Sequence, residues 1–297
     1  PRFFETRFDS LDSAIHAAES TPVAKRAESR TGDAYIPGSP GSPVSPLLGR
    51  ELEYLTHFYG SRTFDEAMSI ARTGWPEGRD RAEAIRARIE ARLLGEIPIP
   101  EIAYDVVGDC LDIGRFVTGD PEDFMSLVDS GNRRESWSPR VVRVAINVSV
   151  SGSIGPEAIF TRGAELLAVV DILERHGIRC EIDIVHGVNN NAFTYIQAKA
   201  AQDTLELDKI TFLFCHPATL RRLLWSIREG YDLAERRANG VTGGSYGSPC
   251  ETPLEERGEG TIYLGAIASD RDWGEERALR WAESILREQG IAIGGQV

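Results

Sequence analysis

The stretch that decides the fold runs from Val141 to Val185: VVRVAINVSVSGSIGPEAIFTRGAELLAVVDILERHGIRCEIDIV. It opens on a β-branched run, Val141 to Ile146, bounded upstream by Ser138-Pro139. A short apolar run between turn signals reads as a strand buried on both faces. Small polar residues follow from Asn147 to Ser153, and then a helix with Pro156 in its first turn, where a missing N–H costs nothing. Ile159, Ala164, Leu166, Leu167, Val170 and Leu173 recur at helical spacing, and Gly177 stands where a left-handed cap ends the helix. A second strand is expected from Ile178 to Val185. Strand, long helix, strand is a βαβ unit, whose right-handed crossover makes the two strands parallel.

Working outward, residues 1–20 alternate briefly and then read as a short helix capped by Asp9 or Ser10. Pro1 to Glu5 has no signal-peptide character and looks like a start from which methionine has been removed. From Thr21 to Pro46 no hydrophobic period survives, and PGSPGSPVSP predicts an extended arm, giving a unit 1–46. A helical region and connecting lobe are expected over 47–138, with Phe64, Ala67, Met68, Ile70 and Ala71 on one helix face and Ala82, Ile85, Ile89 and Leu93 on another. Within this region 96–139 reads as irregular, docking through Phe116, Phe124, Met125, Leu127 and Trp137. The sheet domain fills 139–297, with a turn at Asn189-Asn190-Asn191, a helix over 194–207, a buried strand over 209–215 (KITFLFC) and a helix from His216-Pro217 to Gly230. A Gly-rich loop over 239–260, a strand over 261–268 and a helix over 273–288 close the chain.

Composition excludes several functions. A net charge of −13 disfavours duplex nucleic acid, which wants a basic face. Four scattered cysteines, Cys110, Cys180, Cys215 and Cys250, match neither a zinc site nor a disulfide framework, which points to a reducing cytoplasm. No run reaches the roughly 18 apolar residues of a membrane span. GVTGGSYG is neither a dinucleotide fingerprint nor a Walker loop. Arg221-Arg222 and Arg236-Arg237 read as solvated helix faces, and Asp105, Asp109 and Asp112 as a solvated turn.

Ligands of open parallel sheets bind outside the carboxyl ends of the strands. That rule draws a binding rim of Asn147, Ser149, Ser151, Ser153, Asn190, His216 and Asp270. Cys215 and His216 are the candidates for a nucleophile and its base.

Two resemblances join these readings. The blocks YGSRTFDEAMSIARTGWPEG, AYDVVGDCLDIGRFVTGDPEDFM and RGAELLAVVDILERHG resemble a family of uncharacterised proteins of tailed phages and related mobile elements. That implies a place in the cytoplasm of an infected bacterium or in the virion. The loop N-V-S-V-S-G-S is similar to the D-x-S-x-S loop of von Willebrand A domains, where an aspartate and two serines hold a divalent cation that a partner's carboxylate completes. Here Asn147 replaces the aspartate while Ser149 and Ser151 match, so a Mg or Mn site at these serines is disfavoured and no cofactor is expected. The implied fold is α/β: a mostly parallel, doubly wound sheet of the von Willebrand A or Rossmann type, with about four to six strands, behind a helical N-terminal region.

Three functions follow. The first is a non-enzymatic phage protein acting through contacts, as virion component or assembly factor, with other phage proteins or its own copies engaged by the 20–46 arm. The second is a von Willebrand A-like recognition module for a protein or RNA. The third is a hydrolytic enzyme using His216.

Overall fold

The structure, a computed structural model, describes residues 4–22, 50–93, 101–108, 110–128, 140–188, 192–232, 234–235, 249–252, 260–269 and 275–289. Its centre is the expected unit. Strand β5 (Arg140–Asn147), helix α6 (Pro156–Arg175) and strand β6 (Ile178–Val188) form a crossover, and β5 pairs parallel to β6 from Arg140↔Ile178 to Asn147↔Val185. Pro156 occupies the first turn of α6, and Gly177 takes φ +74°, a conformation that glycine adopts without a Cβ penalty. Leu166, Val169, Val170, Ile172 and Leu173 have no accessible surface worth counting, so the middle of α6 is enclosed on every side. Each such side chain contributes about 1.5–3 kcal/mol by leaving water.

The result is a mixed α/β protein with a mostly parallel five-stranded sheet, ordered β1-β7-β6-β5-β8. Strand β8 (Ile262–Leu264) lies parallel to β5 on the side away from β6, shorter than the expected 261–268, and a single bridge from Val150 to Ile267 prolongs it. Strand β1 (Phe4–Phe8) pairs parallel to β7 (Ala192–Lys199), and α1 (Leu11–Ser20) follows with Ser10 capping it through the Ser13 amide. Residues 4–20 therefore form an edge strand and a helix, not part of an extended arm, and residues 23–46 of the expected arm lie outside the described ones.

Two elements exchange type relative to expectation. Residues 194–207 were to be helical, but AFTYIQAK is strand β7, antiparallel to β6. Its Phe, Thr, Tyr and Ile fit a pleated surface, and Ile196 and Tyr195 face opposite sides of the sheet. The KITFLFC run was to be a strand, but it lies in helix α7 (Leu207–Cys215), where Ile210, Phe212, Leu213, Phe214 and Cys215 are all buried. A short run that is apolar all round carries no period to separate the two.

Helices α2 (Arg50–Tyr59), α3 (Phe64–Thr73) and α4 (Pro76–Leu93) also reach the core, which runs unbroken from Leu11 through Phe64 and Ile89 to Leu286 of the last helix, α9 (Glu275–Glu288). This core joins the face of the sheet that carries Val144, Ile146, Ile182 and Ile196. The opposite face holds a separate small cluster of Ala145, Val185, Phe193, Tyr195, Cys250 and Tyr263. Among the described residues, then, the core-forming helices share one face. No described helix is long and apolar enough to cross a membrane.

Where α6 crosses α7, Gly163 lies against the α7 backbone, and a Cβ there would fall on the Phe214 carbonyl and the Cys215 backbone. Gly163→Ala gains about 1 kcal/mol of helix propensity, but overpacking against backbone costs more, typically 1–3 kcal/mol. A net loss of about 2 kcal/mol is expected in urea unfolding. Equal or greater stability would show that the two helices are not in contact at this point.

Residues 101–108 and 110–128 are not irregular. They form a small antiparallel sheet, β2-β4-β3, from Glu101–Asp105, Phe124–Val128 and Cys110–Leu111, with a one-and-a-half-turn helix α5 (Ile113–Thr118) between β3 and β4. Asp112 caps α5 by accepting from the Gly114 and Arg115 amides. Phe116, expected to dock on the core, is instead 59% exposed, while the Leu127 side chain and Trp137 lie outside the described residues.

Candidate functional site at the carboxyl rim

At the carboxyl end of β5, Asn147 is fully buried and Ser149 nearly so. The Asn147 amide nitrogen donates to the Cys250 carbonyl (2.7 Å) and the Tyr263 hydroxyl (3.0 Å), while its oxygen accepts from the Ser149 amide (2.9 Å). The Ser149 hydroxyl donates to the Gly187 carbonyl and accepts from the Gly187 amide, tying β5 to β6. The Tyr263 hydroxyl donates to Glu251 (2.7 Å), whose other oxygen accepts from the Ala266 amide. Burial raises the Tyr263 pKa, so the phenol stays a donor at neutral pH. Asn147 thus has to be an amide, because a carboxylate cannot donate to Cys250. Asn147→Asp, the change that would restore an acidic rim, is expected to destabilise by about 2 kcal/mol, the cost of a buried acceptor left facing another. Urea unfolding checks it, and a stable N147D protein would contradict this pattern.

Beneath the loop lies Arg162 of α6, 4% exposed. Its guanidinium donates to the carbonyls of Asn147 (3.0 Å), Leu264 (3.2 Å) and Gly265, joining the ends of β5 and β8. Burial pulls its pKa down to about 10, which leaves it charged at neutral pH. A fixed positive charge therefore sits under the rim and repels a divalent cation brought to the same carbonyls.

The outer part of the loop is accessible. Ser153 is exposed and Ser151 half-buried, their hydroxyls are 3.1 Å apart, and the Ser151 amide donates to Ile267. Of the rim drawn from the sequence, Asn147, Ser149, Ser151 and Ser153 share one loop, while Asn190 and Asp270 lie outside the described residues.

Cys215 and His216 end α7 in the interior. Burial raises the Cys215 thiol pKa far above its ordinary value. His216 stacks on Phe212 (5.1 Å) and meets Trp75 edge-on (4.6 Å), and its Nδ1 accepts from the Ala218 amide (3.1 Å). Burial lowers its pKa to about 4. A protonated thiol and a neutral ring used as a cap lack what a nucleophile and base require. The cavity beside His216 measures about 10 Å³, at the lower limit for one water.

The arginines read as solvated prove otherwise. Arg221 donates to the carbonyls of Phe58 and Ile154, both at 2.7 Å, and its guanidinium covers the Phe58 ring. Arg222 reaches the carbonyls of Ser61 and Arg62 and covers Tyr59. They precede α8 (Trp225–Gly230) in a π-helical turn, Thr219–Leu224, and Arg236-Arg237 lie outside the described residues. Arg228 of α8 donates to His186 and to the Ala192 carbonyl. Sequence reasoning also missed Lys199, whose buried ammonium lies 2.8 Å from Glu174 while Arg179 holds the other Glu174 oxygen.

Two roomier clefts lie away from the rim. One of about 510 Å³ opens near the start of α1 and the end of β7, at the amino end of the parallel strands. The other, of about 320 Å³, lies between α4 and α6, where Arg79, Arg86 and Arg175 already meet Asp208, Glu83, Glu90 and Asp171. Among the described residues, no group of three His, Cys, Asp or Glu is placed to hold a metal ion.

The profile of one protein family, described as "Domain of unknown function (DUF7192)", matches residues 2–293. The chain belongs to that family. No curated protein and no solved structure matches it. The DUF7192 match spans β1, the helices and the rim together, in keeping with the continuous core.

Proposed function

We propose that the chain is a non-enzymatic contact protein of a tailed phage or related mobile element, a virion component or assembly factor working in the infected cell or the particle. One observation carries the reading: the inner polar atoms of the rim where an open sheet keeps its chemistry are spent on holding strands together. Asn147, Ser149 and Arg162 bond inward, and Cys215 and His216 are enclosed. The resemblance of three sequence blocks to proteins of tailed phages supports the origin. Purified particles probed with an antibody to the chain test it. Enrichment in particles or assembly intermediates is expected, and absence from both overturns the reading.

A second reading takes the sheet domain as a von Willebrand A-like recognition module for a protein or RNA. It is favoured by the paired Ser151 and Ser153 hydroxyls on the outside of the rim. If a divalent cation takes part, Mg or Mn at 100 times its dissociation constant adds about 2.7 kcal/mol of stability. An unmoved melting temperature removes the cation from this reading. A hydrolase using His216 would lose its turnover in a His216→Ala protein.

A further inference from the structure

The helices of the core turn their apolar residues inward, but α5 does the reverse. Arg115 points to the lobe, covering the Tyr104 ring at 3.6 Å and pairing with Asp120 at 3.1 Å. On the opposite side Ile113, Phe116 and Val117, spaced i, i+3, i+4, are 71%, 59% and 76% exposed. Ile102, Val106 and Val107 of the same lobe are also exposed, and Val141 is the one large apolar residue so exposed elsewhere among the described residues. Exposed apolar groups concentrated in this way mark an interaction surface.

Charge decides what covers it. Residues 101–128 carry seven Asp and Glu against the single Arg115, a net of −6 and almost half of the chain's −13. Two such lobes brought together repel, and an anionic lipid surface is repelled by the same field. The complement is an apolar segment flanked by Lys and Arg. We infer that the 101–128 lobe is a docking surface for a cationic, amphipathic segment of a partner protein, with Ile113, Phe116 and Val117 as its anchors. This rests on the contact-protein reading and assigns that contact to a place. The anchors supply affinity, and the acidic surround supplies encounter rate and salt dependence.

The test titrates the full chain with two labelled helical peptides of equal length, one of Leu and Lys and one of Leu and Glu, read by fluorescence anisotropy. The Leu–Lys peptide is expected to bind at least about tenfold tighter, and Ile113→Ser with Val117→Ser to lose about tenfold. Both residues are exposed, so the fold survives, which circular dichroism verifies. Glu122→Gln with Asp123→Asn should weaken binding and flatten its dependence on salt. Equal binding of the two peptides overturns the inference, and so does binding unchanged in the serine protein. A wild-type dimer that the serine changes split into monomers overturns it in favour of a second copy. Peptide binding by a protein absent from particles would sink the phage reading and leave the lobe assignment standing. Particle enrichment without peptide binding would do the opposite.

Discussion

Arg162→Met is expected to lower the free energy of unfolding by about 4 kcal/mol, the largest effect foreseen for one side chain. Methionine fills much of the same space, so the cavity term is small. What is lost is a charged donor serving three carbonyls, those of Asn147, Leu264 and Gly265. A hydrogen bond to a charged group contributes about 1.5–3 kcal/mol, and a buried acceptor without a donor costs about 1–3 kcal/mol. Against this stands the relief of taking a cation out of the interior, which the lowered Arg162 pKa shows to be real. The carbonyls outweigh one desolvated charge, because the bonds to Asn147 and Leu264 are buried and the one to Gly265 is partly so. Arg162→Lys keeps a charged donor but on a shorter stem that cannot meet all three carbonyls as Nη2 does, so about half the loss should return. Denaturant unfolding of both proteins decides it, and R162M within about 1 kcal/mol of wild type would show that the strand ends hold without the guanidinium.

Much of the fold is legible in the sequence. Pro156, Gly177 and two β-branched runs specify β5-α6-β6, since each signal acts locally and all agree. Helix α7 is not legible, because enclosure on all sides erases the period that tells a helix from a strand. The hairpin of β6 and β7 was hidden for a related reason: β propensity is mostly a matter of neighbours, and the neighbours of Tyr195 and Ile196 come from β1 and β6. At the rim, Asn147, Ser149, Ser151 and Ser153 follow one another in the sequence, but their orientation is not legible there. Asn147 turns inward because Cys250 and Tyr263, 103 and 116 residues away, wait for its amide. Arg162 did leave a trace. It stands three residues after Ile159 and four before Leu166, on the apolar stripe of α6, and a charge at such a position signals a buried pin.

Acidification should unfold the protein through two histidines that the folded state keeps neutral. Burial lowers the His216 pKa to about 4, and burial followed by the nearby Arg228 charge lowers that of His186 well below its ordinary value. Both rings are protonated near pH 6.5 once the chain unfolds, so below that pH the unfolded state binds protons that the folded state refuses. Their stabilisation is therefore complete above about pH 6.5 and is lost as the pH falls from there towards the folded-state values. Between pH 7 and pH 5 the His216 ring should cost about 2 kcal/mol, and His186 adds a loss of the same sign. His216→Asn keeps an acceptor for the Ala218 amide and does not titrate, so about 2 kcal/mol of the loss between pH 7 and pH 5 should vanish. Urea midpoints across this range provide the measurement. A midpoint that stays level down to pH 5, or a His216→Asn protein as acid-sensitive as wild type, would mean that the ring reaches water and that the enclosed end of α7 is open.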